Sequence, residues 1–112
     1  MAQVNEKILG MLVRAIVNIA DPAQIILFGS AARGEAGGDS DLDILVVVSG
    51  SFNRRRCRTD LYVDIMTRLG RFNIPLDLLL FTRSEVREWR PYRNHVISRA
   101  LREGMVLYEK KM

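Results

Sequence analysis

Asp41 and Asp43 stand two residues apart at the start of an apolar, β-branched run, Leu42 to Val48. Side chains alternate along a strand, so both carboxylates face one side. Two such charges about 4 Å apart repel by about 4 kcal/mol at an effective dielectric of about 20. A hard divalent cation relieves that repulsion, and Mg²⁺ typically takes one or two carboxylates and completes its shell with phosphate oxygens. Taken alone, the pair is explained equally well by a polar turn in which Asp39 and Asp41 cap loops. A third carboxylate shifts the balance. Asp77 interrupts the run Ile74 to Phe81, which is otherwise almost wholly apolar. A charge in such a strand is costly unless it is paired or bound to metal. If the two strands are neighbours, Asp77 reaches the Asp41/Asp43 pair. Three carboxylates can then hold two cations, an arrangement suited to in-line displacement at phosphorus. The alternatives for Asp77 are an ion pair with an arginine or a place at an edge.

Upstream lies a candidate phosphate turn. Gly29-Ser30 follows a short β-rich run, and glycine lets the backbone bend sharply and approach a phosphate. Ser30 adds a hydroxyl, the amides opening the next helical turn point at an anion, and Arg33 is close in sequence. A plain strand-to-helix turn would look similar. Two other motifs fail on named residues. Gly29 and Gly34 have the glycine spacing of a P-loop, but Glu35-Ala36 stand where Lys and Ser/Thr are required. Asp39, Asp41 and Asp43 are spaced like the start of a calcium loop, but Ile44 and Gly50 stand where that loop needs Gly and Glu.

These residues need a scaffold. Val4 to Ala20 has helical apolar periodicity, ended by Asp21-Pro22. Gln24 to Phe28 predicts a strand, Ser30 to Ala36 a helical turn or two, and Leu42 to Val48 a strand covered on both faces. A helix is expected over Thr59 to Leu69, starting within the run Arg54 to Arg58 and stopping at Gly70. Ile74 to Phe81 predicts a third strand. Ser84 is a candidate cap for a helix from Glu85, and Pro91 a candidate start for another through Arg102 that stops at Gly104. Met105 to Tyr108 predicts a short edge strand. Helices alternating with strands argue for an α/β (α+β) fold, a small mixed sheet flanked by helices. With 112 residues, one domain spanning 1–112 is expected.

Bulk properties narrow the classes. With 48% hydrophobic and 27% charged residues, the chain is expected to fold. Its longest apolar run is too short to span a membrane, and no signal peptide is visible. The single cysteine, Cys57, cannot form an internal disulfide, and a cytoplasmic protein is expected. The net charge of +4 favours anionic partners without choosing among them.

Gly29-Ser30, ten residues, then Asp41-Leu42-Asp43 resembles the signature of the polymerase-β-like nucleotidyltransferase superfamily. Arg33-Gly34 and Ser40-Asp41-Leu42-Asp43 are similar to its minimal nucleotidyltransferase (MNT) branch, and Gly104 to Tyr108 to that branch's closing segment. The resemblance implies Mg²⁺-dependent transfer of a nucleoside monophosphate, AMP from ATP, with pyrophosphate leaving. It implies that Asp41, Asp43 and Asp77 bind two metal ions, Asp77 also helping to activate the acceptor hydroxyl. It implies that Gly29 and Ser30 hold the triphosphate, with Arg33 and Ser40 beside them. Larger members carry a further helical domain that this chain has no length for. The resemblance therefore implies a separate helical partner of the HEPN type in a hetero-oligomer. In such toxin–antitoxin pairs the enzyme adenylylates a tyrosine of the toxin. The alternatives are an antitoxin that neutralises its partner by binding alone, or transfer to a small molecule or to RNA.

Arg54, Arg55, Arg56 and Arg58 form the densest cationic cluster, either an RNA or acidic-partner surface or a solvated loop. His95 suits a surface or capping role better than catalysis. Trp89 and Tyr92 either cover the sheet or face a partner.

Overall fold

The computed structural model describes residues 6–34 and 41–111. Helix α1 (Glu6–Ala20) buries Leu12, Ala15, Ile16 and Ala20, spaced three or four apart. It stops where Asp21 turns left-handed, at φ 44°. Strand β1 (Gln24–Phe28) leads into a four-residue helix, α2 (Gly29–Ala32), and β2 spans Leu42–Val48. Helix α3 (Arg58–Leu69) begins at the end of the arginine run and gives way to a 3-10 turn over Gly70–Phe72. Then follow β3 (Leu76–Thr82), α4 (Arg83–Trp89), α5 (Val96–Glu103) and β4 (Met105–Glu109). The start of the first predicted helix, Val4-Asn5, and the end of the second, Glu35-Ala36, lie outside the described residues.

The strands form one mixed sheet in the order β3-β2-β1-β4. β1 is antiparallel to both neighbours, while β2 and β3 are parallel. Alternation then sorts the side chains. Ile25, Leu27, Ile44, Val46, Val48, Leu78 and Leu80 pack with α1 and α3 on one face. Ile26, Leu45, Val47, Leu79 and Phe81 pack with Val86 of α4 and with Ala100 and Leu101 of α5 on the other. β2 is thus covered on both faces, as its nearly continuous apolar run predicts. Burying one Val, Leu or Ile side chain stabilises by about 1.5–3 kcal/mol. No described helix is long and apolar enough to cross a membrane.

Two predicted helix starts are corrected. The cap of α4 is Thr82, not Ser84: the Thr82 hydroxyl accepts from Glu85 N at 3.1 Å, and the Glu85 carboxylate accepts from Thr82 N at 2.8 Å. This reciprocal capping box satisfies two donors that Ser84 is placed too late to reach. Pro91 does not open α5. Residues 90–95 make turns, with Tyr92 N–H donating to Trp89 O and His95 N–H to Tyr92 O. The helix starts at Val96, where Nδ1 of His95 accepts from Ile97 N at 3.1 Å. The capping role expected of His95 is the one it has.

Arg58 pairs with Glu85 and so ties the start of α3 to the α4 cap. Burial tends to raise the Glu85 pKa. The Thr82 N–H, the Arg58 guanidinium and the Thr82 hydroxyl outweigh it and hold the carboxyl below its usual range. The resulting stability is present above the unfolded glutamate value of about 4.3 and fades as pH falls through the lower folded value. Thr82→Ala removes the buried cap hydroxyl. It should cost about 1 kcal/mol, read from the shift of the urea midpoint; an unchanged midpoint would contradict the capping role.

Candidate active site

The parallel pairing of β2 with β3 sets Asp43 directly beside Asp77, while on its other side Asp43 pairs with Phe28 of β1. All three belong to the sheet face covered by α4 and α5. Asp43 and Asp77 sit near the strand ends, while Phe28 packs against the apolar cluster of that face. There a cleft of about 490 Å³ opens, lined by Phe28, Gly29, Ser30, Arg33, Asp43, Asp77, Leu79, Val96, Arg99 and Glu103. Gly29 turns the chain from β1 into α2 at φ +73°. A Cβ there would overlap Oδ2 of Asp43 and lie 3.1 Å from its Cγ. Only glycine permits both the turn and the approach of the carboxylate.

The electrostatics follow from this packing. Burial, then the charge of Asp77, then that of Asp41, push the Asp43 carboxyl above its usual range, and Arg33 pulls it partly back. Arg33 in turn lies 3.6 Å from Glu103 of α5.

Five of the seven residues singled out in the sequence therefore meet in one cleft: Gly29, Ser30, Arg33, Asp43 and Asp77. Asp41 is exposed just before β2 and is not part of the lining, although its charge reaches Asp43. Ser40 lies outside the described residues. Asp77 is exposed near the start of β3, so the desolvation cost expected of it is not what singles it out; its register opposite Asp43 is. Among the described residues, no three carboxylate, imidazole or thiol side chains lie together as a ready metal cage. An all-oxygen carboxylate pair whose charges oppose each other fits a hard cation that draws its remaining ligands from phosphate.

The four clustered arginines do not form one free surface. Arg56 donates to Ser49 O and to Ala20 O, each at 3.0 Å. Arg58 pairs with Glu85 and lies over the Phe52 ring at 4.6 Å. Arg54 and Arg55 stay exposed. Trp89 stacks on His95, with ring centres 4.4 Å apart. Val96, Arg99 and Glu103 were not anticipated in the cleft. Their spacing of three and four along α5 places them on one helix face, a signal present in the sequence but uninterpretable until the helix start was known.

Comparison with known proteins agrees with this architecture. No curated protein matches the chain. Among solved structures, a candidate nucleotidyltransferase from Sulfolobus solfataricus is 20% identical, with a TM-score of 0.55 over 91% of this chain and 78% of that one. A toxin–antitoxin structure with AMP-PNP is 22% identical, with a TM-score of 0.57 over 96% and 76%. A mutant of the MntA–HpeT toxin–antitoxin pair is 20% identical, with a TM-score of 0.55 over 96% and 76%. At these identities the likeness is one of fold. The sequence itself matches the family model for the nucleotidyltransferase domain over residues 9–104 of 112, and the chain belongs to that family.

Proposed function

We propose that residues 1–112 act as one metal-dependent adenylyltransferase domain, working in the cytoplasm as the antitoxin of a toxin–antitoxin pair. It moves AMP from ATP onto a tyrosine hydroxyl of a helical HEPN-type partner. The observation that carries this is the in-register Asp43–Asp77 pair beside the Gly29 turn, in a nucleotidyltransferase-family chain. The fold shared with toxin–antitoxin structures, one of them with AMP-PNP, supports the nucleotide and the partner.

In this reading Asp43 and Asp77, joined by Asp41, would hold Mg²⁺, with substrate phosphates completing the shell of two ions. When bound there, the metal would supply positive charge against the phosphates. Gly29 lets the triphosphate approach the backbone, Ser30 offers its hydroxyl, and Arg33 faces the same space. Ser40 is assigned beside them from the family pattern. Asp77, exposed in the cleft, takes the acceptor proton. The new bond joins the acceptor oxygen to the α-phosphorus. The bond from that phosphorus to the bridging oxygen breaks, and pyrophosphate leaves with the electron pair.

The test is intact-mass analysis of the proteins that co-purify with the tagged chain, after incubation with ATP and Mg²⁺. A partner should gain nucleotide-sized mass, and excess chelator should prevent the gain. No mass gain on any partner would refute protein adenylylation. Gain on added RNA or on a small hydroxyl compound instead would reassign the acceptor.

A further inference from the structure

We infer that Arg99 of α5 binds the part of the triphosphate that leaves as pyrophosphate. This rests on the nucleotidyl-transfer reading of the same cleft and adds a residue from a helix outside the Gly-Ser and Asp motifs. Helix α5 buries Ile97, Ser98 and Ala100. Its Val96, Arg99 and Glu103 turn instead to the cleft that contains Asp43 and Asp77. That cleft holds three acidic side chains, Asp43, Asp77 and Glu103, against two basic ones, Arg33 and Arg99. Such a balance repels a triphosphate unless cations meet the phosphates that the carboxylates and their metal do not. Arg33 already shares its charge with Glu103. Among the described residues, Arg99 stands in no ion pair. A guanidinium offers a planar fork of donors that matches phosphate oxygens. It is also carried on a firmly seated element. His95 caps α5 at its first turn and is itself stacked on Trp89 and set edge-on to Phe81.

The experiment is calorimetric titration of the whole chain, wild type and Arg99→Gln, with ATP, pyrophosphate and AMP, each with Mg²⁺. Arg99 is exposed, so the variant should melt as the parent does. Arg99→Gln should weaken ATP and pyrophosphate by about tenfold or more, as expected for loss of a charge-assisted hydrogen bond, and change AMP by less than about twofold. Arg99→Lys should fall between the two. Unchanged ATP and pyrophosphate affinity in Arg99→Gln, or an equal loss for AMP, would overturn the assignment of Arg99 alone. If the wild type binds neither ATP nor pyrophosphate, the nucleotidyltransferase reading itself fails, and the inference fails with it.

Discussion

Asp43→Asn should abolish nucleotide transfer while leaving the nucleotide-free protein at least as stable as its parent at neutral pH. The two effects have one cause. Asp43 is the carboxylate at the centre of the group, half-buried, in register with Asp77 and two residues from Asp41. Burial and its two acidic neighbours hold its pKa above the ordinary range. A carboxyl whose folded pKa is raised favours the fold while protonated and loses that contribution as pH rises through the folded value. At neutral pH the ionised Asp43 therefore opposes folding, and an isosteric amide removes the charge without leaving a cavity. Thermal melts of parent and variant should show the variant equal or higher near pH 7. The gap should close as pH falls through the raised Asp43 value. In the proposed mechanism transfer would depend on the same charge in the opposite sense, because an amide cannot neutralise a cation. Loss of one preorganised electrostatic group typically costs about 10²–10³ in rate, and a metal-binding carboxylate should reach at least that. Radiolabel transfer from ATP to the partner measures it. Normal labelling by the variant, or a variant clearly less stable at neutral pH, would contradict this account of Asp43.

Much of this arrangement was legible in the sequence, for physical reasons. The nearly continuous apolar run of β2 announces a strand covered on both faces, with Asp43 as the charge near its start. Gly29 at a strand end marks a turn that excludes side chains, whereas the alternation expected to align Asp41 with Asp43 does not reach Asp41, which precedes β2 and lies outside the cleft lining. What was hidden depends on contacts remote in sequence. The pairing of Asp43 with Asp77 spans two elements, and only the parallel register of β2 and β3 creates it. The α5 wall of the cleft was obscured because Pro91 is a good helix opener in general. Here the cap is the imidazole nitrogen of His95, whose expected capping role the sequence did not tie to this helix start. Arg56 and Arg58 read as part of a charged patch because sequence cannot reveal that their donors are already engaged by the Ser49 and Ala20 carbonyls and by Glu85.

Gly29→Ala should damage both the fold and the site, and the two losses can be separated. An alanine at φ +73° occupies the left-handed region, at about 1–2 kcal/mol. Its methyl group would also overlap Oδ2 of Asp43, with Cγ 3.1 Å and Cβ 3.4 Å away. The β2 backbone is fixed by its pairing with both β1 and β3, so the carboxylate must rotate out of the cleft. Transfer should then fall about as far as in Asp43→Asn, although every proposed catalytic group is still present. A double-mutant cycle isolates the contact. Removing the obstructed carboxylate with Asp43→Ala should relieve the steric part of the Gly29→Ala destabilisation and leave the backbone part. The two substitutions should therefore be clearly non-additive in urea melts, with the double variant more stable than the sum of the single effects. Strict additivity would mean that Gly29 serves the turn alone and that the close approach of Asp43 to that turn has no energetic consequence.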